Sequence, residues 1–200
     1  KETKALQQLW ASAFDAWINP LGLMGQHEAV YMCPLPEAFD HSQSADLPAW
    51  FIDVLDFLGS NSCDHWGLFA LTASNPLGVE LPSNQNAALN AQLESDLQEL
   101  STASTGKHVW WHSFGFAAHW HEKGFTVAAE PDLVIQLAKK YQQGAIYSYR
   151  RAPPEKSGKV SCLLRVSVPV CMEETESEVL VVPCGRPDCD TADANWTTSN

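Results

Sequence analysis

The sequence predicts an α+β protein, with a mixed or antiparallel sheet and helices packed mainly on one face as a two-layer sandwich. Two patterns predict this class. Short apolar runs typical of strands alternate with segments whose apolar residues recur every three or four positions, and two neighbouring strands form a hairpin. The 200 residues suit one domain with appended segments and are enough to bury a sizeable core.

The first part of the chain is predicted to form a helix, a strand and a second helix. The first helix covers residues 3–18, because its apolar side chains recur at helical spacing. The strand covers residues 27–33 and ends at the prolines that follow. Pro48 suits the first turn of a helix that extends through Leu58.

Strands and helices alternate in the rest of the chain. The Asn75-Pro76 pair ends the first of these strands, because the residue before a proline disfavours the helical region. Residues 121–124 are predicted to form the hairpin turn, and the last strand is predicted at an edge of the sheet. The predicted strands cover 66–73, 109–120, 125–129, 145–149, 160–168 and 179–182, and the predicted helices cover 84–100 and a segment that begins at Pro131 and ends at Gly144.

Three parts are expected along the chain. Residues 1–64 would be an N-terminal helical extension with one short strand, packed on the core. Residues 65–170 would form the α+β core domain. Residues 171–200 would be an acidic C-terminal extension and tail.

The charge of the chain limits the classes of partner. A formal net charge of −12 argues against generic nucleic-acid binding, which needs a basic surface to displace counterions. No apolar run is long enough to span a bilayer. The chain begins with Lys1, which would suit the removal of a targeting segment for a plastid or a mitochondrion, although the sequence does not show the compartment.

Several spaced motifs between residues 66 and 150 resemble one protein family. They are Trp66-Gly67, Thr72-Ala73, Asn75-Pro76, Asn86, Asn90, Trp120, Glu122, Gln143, Ala145 and Ile146. This pattern resembles the uncharacterised, mostly bacterial family known as domain of unknown function 3293. The resemblance brings no established activity. The chain departs from the family pattern at Ser74, where the family has an aromatic residue, and at Tyr141-Gln142, where it has Phe-Gly.

The polar residues of these motifs support two readings. Asn75, Asn86, Asn90, Glu122 and Gln143 could line one cleft, with Glu122 as a general base and the amides orienting a polar ligand. Alternatively, the asparagines cap turns and bond to loop backbone, and Glu122 pairs with a donor in a loop. The second reading is favoured from the sequence, which contains no nucleophile elbow, phosphate-binding loop or dinucleotide fingerprint.

Histidines and cysteines provide weaker candidate sites. His119 and His121, together with His112, are candidate metal ligands, because alternate residues of a strand face one side. Ordinary strand histidines are the simpler expectation, so no metal and no cofactor is predicted. Cys184 and Cys189 could close a short disulfide loop.

The surplus of aromatic residues suggests protein interfaces. Trp110 and Trp111 on a predicted strand, and Trp10 and Trp17 on the first predicted helix, are the candidate contact residues. The leading functional hypothesis is therefore a non-catalytic accessory or scaffolding subunit of a larger assembly, such as an organellar respiratory or photosynthetic complex. The alternative is an enzyme or small-ligand-binding protein that uses the polar cleft.

Overall fold

The computed structural model describes residues 11–18, 29–35, 49–59, 66–103, 109–117, 120–153, 162–172 and 177–185. The strands are β1 (Phe14–Ile18), β2 (Ala29–Pro34), β3 (Gly67–Leu71), β4 (Val109–Ala117), β5 (Trp120–Ala129), β6 (Ala145–Arg151), β7 (Leu163–Pro169) and β8 (Ser177–Cys184). The helices are α1 (Ala49–Gly59), α2 (Ser83–Ala103) and α3 (Pro131–Lys140), with a short 3₁₀ turn at Pro76–Gly78.

These strands form a closed antiparallel barrel in the order β1-β2-β8-β7-β6-β3-β5-β4. Strand β1 pairs with β2 on one side and with β4 on the other, so the ladder returns to its starting strand. The predicted two-layer α+β sandwich is therefore wrong. In a sandwich the sheet would keep two free edges. Here β1 pairs with β4 and β2 pairs with β8, so the sheet closes on itself.

The error begins in the first predicted helix. Residues 14–18 form β1, and residues 3–10 lie outside the part that the structure describes. In β1, Asp15 and Trp17 lie on the face that lines the interior, because side chains alternate along a strand. A short apolar run of this kind fits helical and strand periodicity alike, and its pairing partners decide between them.

Two other predictions along the chain need correction. Strand β8 was predicted at an edge, but it pairs with both β7 and β2. The hairpin turn was predicted at residues 121–124, but these residues belong to β5, and the connection lies between Ala117 and Trp120. Glu122 is therefore a strand residue. The other predicted strands and helices correspond to observed elements, with shifted ends.

The barrel combines segments from all three expected parts of the chain. Strands β1 and β2 come from residues before 65, and β8 comes from residues after 170. Strands β3 to β7, from residues between these segments, complete the barrel. No described helix is both long enough and apolar enough to cross a lipid bilayer.

Apolar side chains fill one half of the barrel interior, which we call the lumen. Trp17 lies at the centre of this half, with its ring 5.0 Å from that of Tyr149 and 5.6 Å from that of Trp111. Helix α1 covers this end, since its buried Phe51 ring lies 5.5 Å from the Trp17 ring. Other buried members of the cluster are Val30, Met32, Leu68, Ala128, Leu163 and Val181.

A second core lies outside the barrel wall. The outward side chains of β3 and β5 pack there against α2 and α3, which explains why both helices carry an apolar stripe. Its buried members include Phe69, Leu71, Phe125, Val127, Leu93, Leu97, Val134 and Leu137. The two cores share one wall, so α2 and α3 stabilise the same strands that surround the lumen.

A buried ion pair crosses the lumen between β1 and β7. The Arg165 guanidinium donates to Asp15 Oδ2 at 2.6 Å, to the Ala13 carbonyl at 2.9 Å and to the Ala11 carbonyl at 3.3 Å. Both side chains are almost completely buried. Burial raises the pKa of Asp15, against the attraction of Arg165. These bonds attach the short strand β1 to the opposite wall.

Removing one partner of this pair should destabilise the fold strongly, because the other charge is left buried. We expect Asp15→Asn to lower the free energy of unfolding by about 3–5 kcal/mol. The double variant Asp15→Asn/Arg165→Met should be more stable than Asp15→Asn alone. Urea denaturation of the wild type, both single variants and the double variant measures the coupling; strictly additive losses would contradict the pairing.

Candidate functional site

The half of the lumen opposite α1 is hollow. It contains a cavity of about 340 Å³, which we call the lumen pocket. Inward residues of β1, β3, β4, β5 and β6 line its wall, and its rim includes Gly78, Glu80, Gln143 and Met172. A volume of this size lies at the lower end of the range of about 300–1,000 Å³ that small-molecule sites occupy.

Glu122 is the acidic group that projects into the lumen pocket from β5. Its backbone lies directly opposite Gly115 of β4, and Trp120 precedes it on the same face of the strand. The Glu122 carboxyl group makes no hydrogen bond or ion pair with any residue that the structure describes. The side chain is half-buried and lines the cavity, so its carboxyl group is available to a ligand.

The surroundings of Glu122 change its acidity. Burial raises the pKa of Glu122 from the usual value of 4.5 to about 7, because the charged form loses its hydration. The carboxyl group therefore changes charge within the physiological pH range. A side chain with this property in a cavity is a candidate functional group.

One polar group beside the pocket lacks a described partner. Trp17 lines the pocket, and its buried Nε1–H has no hydrogen-bond partner among the residues that the structure describes. The Tyr149 hydroxyl faces the Asp15 carboxyl group, and burial raises the pKa of Tyr149 well above the usual range. A buried donor such as the Trp17 Nε1–H requires water or a ligand.

Gly115 leaves space for an aromatic wall beside Glu122. A Cβ atom at this position would lie 3.1 Å from the Trp120 ring, so the indole lies across the glycine. The Arg165 guanidinium lies over the Tyr147 ring of β6, with its central carbon 4.7 Å from the ring centroid. Trp120 and Tyr147 thus line the same pocket as Glu122.

The asparagines of the sequence motifs hold the loop after β3. Asn75 has φ +49°, in the left-handed region that asparagine tolerates. Asn86 on α2 accepts from the Asn75 backbone N–H at 2.9 Å and donates to Asn75 Oδ1 at 2.8 Å. Asn75 Oδ1 also accepts from the Leu81 N–H at 3.0 Å. These bonds attach the rim of the pocket to α2.

Asn90 and Gln143 extend the same network deeper into the protein. Asn90 accepts from the Ala73 N–H at 2.9 Å and donates to Ser74 Oγ at 2.8 Å and to the Lys123 carbonyl at 3.2 Å. Gln143 donates to the Ser74 carbonyl at 3.1 Å. We refer to Asn75, Asn86, Asn90 and Gln143 as the amide network.

Residues 71–146 match the family model described as Protein of unknown function (DUF3293). This confirms the family resemblance predicted from residues 66–150. The match covers less than half of the 200-residue chain. No curated protein and no solved structure matches the chain.

The segment that matches the family model holds both the amide network and Glu122. Its two departures from the family pattern have definite positions. Ser74 is buried and lines the pocket while it accepts from Asn90. Gln142 has φ +53°, in the left-handed region that favours glycine, and follows the end of α3.

The structure divides the candidate ligand residues predicted from the sequence. Asn75, Glu122 and Gln143 line the lumen pocket, whereas Asn86 and Asn90 lie behind its rim. All four amides have hydrogen bonds within the protein. Glu122 is the member whose functional group is uncommitted.

The remaining candidates have separate locations. His121 is exposed, while His119 and Cys189 lie outside the described residues. Within the described ranges, no three His, Cys, Asp or Glu side chains are grouped closely enough to hold a metal ion. Cys184 is a free thiol beside Cys33 on the neighbouring strand, and their hydrogen bond raises the Cys184 pKa.

The candidate interface tryptophans are mostly internal. Trp17 and Trp111 are buried in the lumen, with 0% and 4% of their surface exposed. Trp110 packs on the outer core, where its ring lies 5.7 Å from that of Phe125. Trp10 lies outside the described residues.

The sequence reading did not include the residues that line the lumen beside Glu122. Asp15 was assigned to a helix, and Tyr147 and Tyr149 were assigned to a strand without a functional role. Their alternation on β6 was the available signal, because residues two apart share one face. It could not be used without knowing that the face is an interior one.

The amide network should contribute to stability rather than to chemistry. We expect Asn90→Ala to lower the free energy of unfolding by about 2–3 kcal/mol, since it leaves the buried Ala73 N–H and Ser74 hydroxyl without their partner. Chemical denaturation measures this loss. Gln92→Ala, an exposed change on the same helix, is the matched control and should have little effect; equal stability of the two variants would refute this role.

Glu122 should make stability depend on pH. Because its folded pKa of about 7 exceeds the usual 4.5, the native state holds a proton that the unfolded chain has lost between these values. Wild-type stability should therefore fall, relative to Glu122→Gln, by on the order of 2–3 kcal/mol as pH rises from 4.5 to 7. Denaturation at several pH values measures the difference, with Glu99→Gln on the exposed side of α2 as the control. A constant difference would contradict the burial of this carboxyl group.

Proposed function

We propose that this protein binds a small organic molecule in the lumen pocket. The observation that carries the proposal is the uncommitted Glu122 carboxyl group, placed in a cavity of about 340 Å³. Glu122 is half-buried, and a polar group that is open to a cavity and has no described partner is a binding feature.

The distribution of polar and apolar residues supports the same proposal. The apolar half of the lumen is closed by α1, and the hollow half combines aromatic side chains with a few polar groups, among them Glu122 and Asn75. Small-molecule sites typically have this composition, and the mouths of barrels are a common location for them. The amide network stabilises the rim of the lumen pocket, whereas the ligand would contact the strands that form its wall.

A catalytic role for Glu122 is a second candidate. A general acid or base works best when its pKa lies near the operating pH, and the pKa of Glu122 is about 7. A proton transfer to or from a ligand in the pocket is the reaction class that this group could support. Loss of turnover with retained binding in Glu122→Gln would distinguish catalysis from binding alone.

The predicted membership of a larger assembly, and an organellar location, stay predictions. Ligand binding in the lumen is compatible with both, because the outer surface of β1, β2 and β8 is separate from the pocket. The acidic charge supports the expectation that nucleic acid is not the partner.

A substitution that fills the pocket should remove ligand binding. Ala70 lines the pocket from β3, so Ala70→Phe would place a ring inside it. Ligand-observed NMR with benzylamine, benzyl alcohol and benzoate should detect binding of at least one probe to the wild type and much weaker binding to Ala70→Phe. Ala91→Phe, an exposed change on α2, is the control and should bind like the wild type.

The same experiment has a readout that needs no variant. The indole N–H signals of Trp17 and Trp120, which both line the pocket, should shift when a bound probe is added. Failure of all three probes to bind, or binding that Ala70→Phe leaves intact without any shift of these signals, would overturn the lumen as the binding site.

A further inference from the structure

The charges that line the lumen pocket are unequal. Among the described residues that line it, Asp15, Glu80 and Glu122 are acidic, and none is Lys, Arg or His. A ligand therefore meets acceptors with negative charge and no basic side chain on the wall of the cavity.

Two of these acids have different roles from the third. Asp15 is committed to Arg165, whose guanidinium also binds two backbone carbonyls, so the pair adds no net charge to the lumen. Glu80 is exposed at the rim. Glu122 is thus the unmatched charge inside the pocket, and buried charges are stable when an opposite charge accompanies them.

The neighbours of Glu122 suit a positive charge. The Trp120 indole lies across Gly115, which is the cross-strand neighbour of Glu122. Trp17 and Tyr147 contribute further aromatic surface to the same pocket. An ammonium group is attracted to the face of an aromatic ring, and most strongly to that of tryptophan.

We propose that the ligand of the lumen pocket is a small organic cation, whose protonated amine pairs with the Glu122 carboxylate against the Trp120 ring. This inference rests on the lumen being a binding site. The apolar body of the ligand would contact Trp17, Ala70 and Tyr149 deeper in the pocket. The acidic rim and the net charge of −12 would draw a cation toward the mouth.

An anionic ligand fits the pocket less well. A carboxylate or phosphate would need a cationic or multiple-donor cradle, and Arg165 is occupied by Asp15 and the carbonyls of Ala11 and Ala13. It would also lie beside Glu122, and like charges at close range repel. The Trp17 Nε1–H, which has no partner among the described residues, could serve a hydroxyl group or water as well as an anion.

The pH dependence of binding follows from the groups that face Glu122. Tyr147 on β6 interacts with Glu122 directly, and Asp15 on β1, Tyr149 on β6 and Glu80 at the rim line the same pocket. Arg165 on β7 lies against Tyr147 and Asp15, while β4 contributes the uncharged Ser113 and Gly115. Burial raises the pKa of both tyrosines above the usual range. Burial raises the pKa of Asp15 too, but that carboxyl group is paired with Arg165. The pKa of Glu122 is about 7, so the ionised form that binds the cation is lost as pH falls through 7.

The test compares three probes that share one ring: benzylamine, benzyl alcohol and benzoate. At pH 8 we expect benzylamine to bind about tenfold more tightly than benzyl alcohol, as a charge-assisted contact implies. Benzylamine affinity should fall about tenfold or more between pH 8 and pH 5.5 as Glu122 becomes protonated. Calorimetry or NMR titration of the full chain measures these affinities.

Variants assign the effect to one carboxyl group. Glu122→Gln should abolish the preference for benzylamine and its pH dependence, while benzyl alcohol still binds. Glu99→Gln, on the exposed face of α2, should retain both properties.

The outcomes separate this inference from the proposed function. If benzyl alcohol or benzoate binds as tightly as benzylamine, or if affinity for benzylamine rises at low pH, the inference that the ligand is a cation is wrong. The proposal that the lumen binds a small molecule is then unaffected. If Glu122→Gln binds benzylamine like the wild type, the carboxylate is not the cation site. If no probe binds the wild type, the lumen-binding proposal fails with it.

Discussion

The pairing of β1 with both β2 and β4 is the constraint on which the structure depends. Five residues of β1 connect the hairpin of β1 and β2 to the strands of the family-matching segment. Without this connection, β4 would be a free edge and the interior would open along one side. Because β1 is short, the buried bonds from Arg165 to Asp15 and to the adjacent backbone add a second attachment across the lumen.

Because the wall is closed, the inner face of the sheet can surround both a packed apolar core and a cavity. Near α1, the lumen is packed with aromatic and aliphatic side chains around Trp17. Further along the same strands, small residues such as Ala70, Ser113 and Gly115 replace large ones and leave a cavity. The outer core under α2 and α3 stabilises the wall independently, so the hollow half does not have to supply the packing energy of the fold.

Local elements could be predicted from the sequence, whereas closure could not. Pro131, at the start of a helical apolar stripe, and the leucines of α2 identify their helices through capping and periodicity alone. By contrast, Asp15 and Arg165 are far apart in sequence, and no local pattern around either residue predicts that they form a pair. Phe14–Ile18 satisfied helical spacing by coincidence, and its true partners lie on β2 and β4.

Glu122 illustrates the same limit within the candidate site. Residues 121–124 were predicted to form the hairpin turn, so Glu122 was not expected on a strand. In the barrel, Gly124 is required because a Cβ atom there would lie 2.6 Å from the Leu71 carbonyl oxygen. The glycine permits close contact of β5 with β3, so the strand continues and Glu122 faces inward. The amide network was easier to anticipate, since asparagines beside a proline turn commonly bond to backbone.

The strand order also has a consequence for how the chain reaches its native state. Tyr31 on β2 pairs with Cys184 on β8, which lies near the opposite end of the chain. Contacts between such distant segments form slowly, because the entropy of closing a long loop is lost before the contact is gained. During synthesis, the hairpin of β1 and β2 must wait for β8 with an unpaired edge exposed, and unpaired edges are the sites where strands of different molecules associate. Closure of the lumen therefore waits for β8, which gives β2 its second partner.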